Sequence, residues 1–179
     1  IEGDSMVAQS LQRVRDRLRE ESRSNDVRIK SSIRGSSNPQ MARTFEDMPR
    51  EKAEVGGAIS WMGQRFAVNL QGRRASSPLD GDSFRLDGSY LGAAVGNWML
   101  AFGYPERWWG PGWDGSLILS TNARPGPQFS IKRNITTPFN SKWLSWIGPW
   151  SLTSFFEQLD DERYVQDAML FGLRMTVMP

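Results

Sequence analysis

The sequence predicts an all-β chain with one N-terminal helix and about nine antiparallel, up-and-down strands. Two observations carry that expectation. A helical period occurs once, at the start, and a period of two takes over from residue 27 to the end. The apolar half of the alternation is unusually aromatic, while the polar half mixes Arg with Gly, Ser and Asn. A transmembrane β-barrel has that arrangement, with apolar side chains toward lipid and polar ones toward its lumen. A soluble β-sandwich also alternates, but its outer face usually carries Lys, Glu and Thr. The pattern favours the barrel and leaves the sandwich as the alternative.

The helix comes first. Val7, Leu11, Val14 and Leu18 form a single apolar stripe at spacings of four, three and four. Asp4 or Ser5 can cap its start, and the Ser/Asn-rich stretch 22–25 ends it. Arg13, Arg17 and Glu20 lie on the opposite face, as on a solvated amphipathic helix. Eight basic residues fall within the first 34 positions, but base-reading or stacking residues are absent there, so nucleic acid is not an expected partner.

The strands follow in order. In 27–34, Val27, Ile29 and Ile33 oppose Arg28, Lys30 and Arg34. A weaker strand fits 53–61. In 65–71, Phe66, Val68 and Leu70 oppose Arg65, Asn69 and Gln71, and in 84–91, Phe84, Leu86 and Tyr90 oppose Arg85, Asp87 and Ser89. Trp98, Leu100, Phe102 and Tyr104 align in 97–104. Weaker strands fit 116–120, 128–133 and 149–157. The closing strand, 168–178, sets Met169, Phe171, Leu173, Met175 and Val177 against Gly172, Arg174 and Thr176. Several of these runs reach the ~9–11 residues that a tilted strand needs to cross a bilayer; 116–120 does not.

Outer-membrane barrels have short turns at the periplasmic end and longer loops outside. The gaps 35–52 and 75–83 are long, while 62–64 and 96–97 are tight. With the helix in the periplasm, strict alternation puts both tryptophan-bearing loops, around 105–115 and 135–148, on the outside. The stretches 121–127 and 158–167 are then longer than inner turns should be.

Composition narrows the chemistry. The mean hydropathy is −0.50 and no apolar run reaches the roughly 18 residues of a transmembrane helix, which does not exclude strands that cross a membrane. With no Cys and no His, thiol nucleophiles, His-based triads and imidazole metal sites are unavailable, and no cofactor or metal is expected. Ile1 opens the chain without a start Met or signal sequence, so it reads as a piece of a longer protein.

Three groups invite a functional reading. The stretch 104–116, YPERWWGPGWDGS, crowds Trp108, Trp109 and Trp113 among Gly, Pro and charges. Indole faces suit sugar C–H surfaces, and guanidinium suits a uronate carboxylate, so Arg107, Trp108, Trp109, Trp113, Asp114 and Arg124 are candidate polysaccharide contacts. Equally, the indoles could fold inward and seal the barrel. Arg28, Lys30, Arg34, Arg65, Arg85 and Arg174, together with Arg73, form a candidate basic lumen for an acidic polymer, unless they pair with Glu54, Asp87, Glu157 and other carboxylates. Asp160, Asp161 and Glu162 are acidic neighbours on a polar turn, which diverge too much to act as a glycosidase pair about 5–9.5 Å apart. A non-enzymatic role follows.

The segments RTFEDMPREKAE (43–54), GYPERWWGPGWDGSLILSTNARPGP (103–127), WLSWIGPWSLTSFFEQLDDER (143–163) and AMLFGLRMTVMP (168–179) resemble the Wzi family of capsule-assembly outer-membrane proteins. WWGPGWDGSLILS and NARP are the most specific pieces. The resemblance implies an 18-stranded outer-membrane barrel closed at the periplasmic end by a helical plug. It also implies lectin-like attachment of capsular polysaccharide rather than catalysis. On that basis 1–24 belongs to the plug and 25–179 is roughly half of the barrel, with capsular or exopolysaccharide and outer-membrane lipid as partners. The soluble alternative is a β-sandwich carbohydrate-binding or glycoside-hydrolase accessory domain. The two separate on Phe66, Leu70, Trp98, Phe102, Phe171 and Met175, which meet lipid in the first and a second sheet in the other.

Overall fold

The computed structural model describes residues 11–12, 15, 25–39, 51–76, 78, 81–159 and 164–177. Of the predicted helix, Leu11, Gln12 and Arg15 fall in that set, all three helical and exposed; its caps and bounds lie outside the described residues, as do Asp160, Asp161 and Glu162. The strands are β1 (Val27–Gly35), β2 (Ala53–Met62), β3 (Phe66–Ser76), β4 (Phe84–Arg85), β5 (Tyr90–Val95), β6 (Trp98–Gly103), β7 (Gln128–Arg133), β8 (Trp150–Gln158) and β9 (Met169–Val177). A 3₁₀ turn, Ser145–Ile147, precedes β8.

All nine strands hydrogen-bond into one unclosed sheet in the order β1-β2-β3-β5-β6-β7-β8-β9, with β4 pairing β3 beside that path. Every pairing is antiparallel. A sandwich would divide the strands between two packed sheets; here there is one meander.

Register sorts the side chains onto two faces, because residues directly opposite one another share a face. Ile29 faces Ile59, which faces Leu70. Farther along, Leu91, Phe102, Phe129, Phe156 and Phe171 form one cross-strand row. Phe66, Leu70, Trp98, Phe102, Phe171 and Met175 all fall on this apolar face. It is also the open face: Ile33 is 86% exposed, Ile29 77% and Phe171 62%, so among the described residues no second sheet covers it. The buried residues invert the usual rule. Among the described residues only Ala75 and Phe155 are buried apolar side chains, whereas Glu51, Glu54, Arg85, Asp87, Ser89, Gln128, Ser130, Arg133 and Glu157 are buried polar ones. A water-soluble domain hides its apolar groups; a sheet whose outside meets hydrocarbon does the reverse.

Two expectations are corrected. The run 84–91 is not one strand. β3 pairs β4 as Arg73↔Arg85 but pairs β5 as Asn69↔Tyr90, so one extra residue is inserted between them, a β-bulge. Gly88 takes φ +89° there, a conformation that side-chain-bearing residues rarely adopt, and its carbonyl accepts from Asn69 Nδ2 at 2.7 Å. Ser89 Oγ completes the seam, accepting from Gln71 N and donating to Gln71 O, both at 2.9 Å. The bulge shifts the phase, so that Leu91 rather than Tyr90 joins the apolar face.

Nor is 116–120 a strand. β6 pairs β7 directly, which leaves no slot between them, and the segment keeps a single bridge, Trp109↔Leu119. Leu117 and Ile118 are 80% and 72% exposed. Removing that strand reverses the parity of everything after it. The connections 104–127 and 159–168 therefore share one end of the sheet with 36–52 and 77–83, the loop end. The connection 134–149 lies at the other, turn end, with 63–65 and 96–97. The two tryptophan-bearing loops sit at opposite ends rather than together outside.

Candidate functional site

At the loop end, the polar face carries a pedestal on which residues 104–127 fold back. Its centre is Phe155 on β8, 2% exposed. Phe155 lies opposite Gly172 on β9, and a Cβ at Gly172 would collide with the Phe155 ring, so the glycine makes room for the aromatic to lie down. The Arg107 guanidinium sits 4.7 Å above that ring, and Trp109 meets it edge-on at 5.4 Å with the planes at 76°. Trp109 is also pinned through its backbone: its N–H donates to Leu119 O at 2.9 Å, and its carbonyl accepts from Ile118 N at 3.1 Å.

Gln128, the first residue of β7 and 2% exposed, ties this arrangement to the sheet. Its Oε1 accepts from Arg107 Nε at 2.6 Å, and its Nε2 donates to Pro105 O at 3.0 Å. Burial pulls the Arg107 pKa below its ordinary value, and the charge of Glu157 opposes that shift. A guanidinium starts so high that it stays cationic. Glu157 itself, opposite Gln128 in register, accepts from Gly126 N at 2.7 Å.

The outer part of the loop is held differently. Trp108 closes onto its own segment, Nε1 donating to Gly112 O at 2.9 Å. Trp113 is 66% exposed, and Asp114 beside it is exposed as well. Arg124 reaches back to the bulge, 3.2 Å from Asp82 and 3.4 Å from the buried Asp87.

These anchors leave a cavity of about 300 Å³ between loop and sheet, with Glu106, Arg107, Ser120, Arg124, Gln128 and Glu157 in its polar wall. That volume lies at the low end of the range of small-ligand sites. Four of the six candidate contacts thus have separate surroundings: Arg107 and Arg124 line the cavity, Trp109 packs against Phe155, and Trp113 is largely exposed. Trp108 and Asp114 belong to the rim segment and are not among the cavity's lining residues.

The basic lumen is not one patch. Arg28, Lys30 and Arg34 lie on the polar face of β1, and Arg174 lies on that of β9, at the opposite edge of the sheet. Arg85 is 3% exposed and held by Glu51 at 3.0 Å with Glu54 at 4.0 Å, so its charge is spent internally. Arg28, Arg34 and Arg73 are engaged too. Arg65 is exposed and immediately precedes β3 at the turn end, the strand starting one residue later than predicted, and its carbonyl accepts from Ala94 N at 2.7 Å. Among the described residues no group of three or more acidic side chains is gathered as a metal would need.

Sequence reading missed Gln128, Phe155 and Asp82. The first two alternate correctly onto the polar face, and a Phe there, opposite a Gly, was the available signal.

Comparison with known proteins gives three findings. The model of the family described as capsule assembly protein Wzi matches residues 23–179. An uncharacterized 55.8 kDa protein in the cps region of Klebsiella pneumoniae is 29% identical over 156 residues, covering 86% of this chain and 31% of that protein. Wzi of Escherichia coli, an outer-membrane protein involved in group 1 capsule assembly and a carbohydrate-binding β-barrel, superposes with a TM-score of 0.76 at 28% identity. That match covers 92% of this chain and 38% of the other, so the chain spans about a third of the length of these relatives.

Proposed function

The chain belongs to the Wzi family of capsule assembly proteins, and from that premise we propose that it is part of an outer-membrane β-barrel whose loop end binds capsular polysaccharide without catalysis. The inverted burial of the sheet supports the membrane seat. Residues 25–179 supply one part of the barrel wall, and 1–24 contributes to a plug at the turn end.

The observation that carries the binding role is the polar cavity beneath the 104–127 loop. Its wall presents two guanidiniums, an amide and two carboxylates, a set that matches hydroxyl-rich and carboxylate-bearing sugar units. Arg107, which donates to the neutral Gln128, favours a carboxylate-bearing unit, whereas Arg124 is paired with Asp82 and Asp87; the exposed indole of Trp113 offers a stacking surface at the rim. Binding is lectin-like in this reading: an arrangement of charge and aromatic faces around the cavity.

Capsule retention by the full-length protein tests this. Ser120→Trp fills the cavity from its wall and is expected to abolish retention of acidic capsule polymer while the barrel still assembles in the outer membrane. Retention unchanged in Ser120→Trp and in Trp113→Ala alike, with normal assembly, defeats the loop-end reading.

A further inference from the structure

The loop at the turn end, 134–149, carries an arrangement that capsule binding does not use. It begins at Arg133, the last residue of β7, which lies opposite Trp98 and so points from the apolar face. An arginine there would project its charge into whatever covers that face. Instead it is only 9% exposed. Its guanidinium donates to Thr137 O, to Trp150 O and to Thr137 Oγ1, each at 2.9 Å, and lies 3.8 Å from the centre of the Trp150 ring. Phe139 stacks on the same indole at 4.6 Å and 14°. Trp150 lies opposite Val177, on the apolar face as well. The loop therefore folds back over the outer side of the sheet and encloses the cation in carbonyls and aromatic rings.

Beyond this enclosure the chain presents its tip outward. Trp143 is 88% exposed, Trp146 78% and Leu144 41%, and Lys142 is exposed beside them. Two indoles, an aliphatic side chain and an ammonium group next to the end of a lipid-facing band have a composition suited to the boundary between headgroups and acyl chains. Indoles prefer that boundary, and lysine reaches from it to phosphate.

We propose that the 142–146 tip seats in the phospholipid headgroup boundary of the leaflet at the turn end, as an anchor that fixes the depth and tilt of this part of the wall. The enclosure of Arg133 is what permits it, since a bare guanidinium at that position would oppose burial of the neighbouring aromatic surface. The anchor rests on the membrane-spanning reading of the sheet, so the test reads both.

Single cysteines are introduced into the full-length protein, any others having been removed, and labelled with an environment-sensitive fluorophore. The protein is reconstituted in vesicles of phosphatidylethanolamine and phosphatidylglycerol. Nitroxide lipids, shallow or deep, quench from the membrane and iodide quenches from water. A label at Trp146→Cys is expected to be quenched more by the shallow nitroxide than by the deep one, and several-fold less by iodide than a label at Trp113→Cys at the other end. A label at Leu173→Cys, in the middle of the apolar face, is expected to be quenched by the deep nitroxide. Iodide quenching at Trp146→Cys equal to that at Trp113→Cys overturns the anchor. Protection from both nitroxides and iodide also overturns it, because the tip is then covered by protein. Absence of lipid quenching at Leu173→Cys defeats the membrane reading itself and the anchor with it.

Discussion

The two tryptophan-bearing loops are built from similar residues and end in opposite environments. Loop 104–127 turns onto the polar face, where Trp109 meets Phe155 and the guanidinium of Arg107 lies over the same ring. Loop 134–149 turns onto the apolar face, where Arg133 lies over Trp150 and Phe139 stacks beside it. Each uses an arginine above an aromatic ring as its fastening, so residue type does not distinguish them. Strand parity does. Phe155 and Trp150 lie on one strand five residues apart, an odd interval, and an odd interval changes face.

The comparison breaks most severely at the fastenings. Phe155→Ala removes the surface shared by Arg107 and Trp109 and leaves a void over Gly172. A loss of about 3–5 kcal/mol of unfolding free energy is expected, as for other buried Phe→Ala changes. It is measured by denaturant unfolding of the full-length protein in detergent micelles. Limited proteolysis should then cut within 104–127 and spare 134–149. Cleavage of both loops together would mean that they are one cooperative unit.

Arg133→Met tests the opposite end, with a smaller effect. The part-buried carbonyls of Thr137 and Trp150 lose their shared charged donor, which costs about 1–3 kcal/mol. The expected signature is local: a fluorophore at Trp146→Cys shifts its emission, while one at Trp113→Cys does not. A shift at both positions would couple the two ends.

Smaller still is the difference between the two carboxylates that hold Arg124. The Asp87 side chain is 4% exposed and that of Asp82 is 71% exposed. Water and salt screen the exposed pair, so Asp82→Asn should change stability by no more than about 0.5 kcal/mol. Asp87→Asn alters a buried partner and is expected to cost about 1–3 kcal/mol. Chemical denaturation of the two variants at matched ionic strength separates them, and equal effects would show that the bulge, rather than the charge, positions Arg124.

Alternation of period two is enough to assign the faces of the sheet. Ile29, Leu70, Phe102, Phe171 and Met175 share the apolar side by alternation alone, because successive side chains of a strand point to opposite faces. What alternation could not supply was the place where the chain leaves it. Leu117, Ile118 and Leu119 are three apolar residues in succession, which fits no half-buried strand, and whether they pair depends on β6 and β7 already being neighbours. That contact is made across 24 intervening residues and has no local signature. The bulge at Gly88 is similar, since its seam is closed by Asn69 and Ser89, which are far apart in sequence. Both misreadings then propagated, one to the phase of Tyr90 and the other to the end of the sheet on which Trp143 and Trp146 lie.

The smallest expected effect on stability belongs to the outermost indole of the loop end. Trp113 is mostly exposed, so its replacement by Ala removes little buried surface, and unfolding should shift by no more than about 0.5 kcal/mol. In the proposed binding role, retention of capsule polymer should nevertheless fall, because most of the indole is open to stack on a sugar. Trp109→Ala should do the converse, loosening the loop against Phe155 and lowering protease resistance before any direct loss of a sugar contact. Polymer retention and protease resistance measured on both variants give a crossed pattern if the neighbouring indoles divide plug from platform. Parallel losses in both readouts would make all of the loop's tryptophans structural, and the cavity wall would then carry recognition alone.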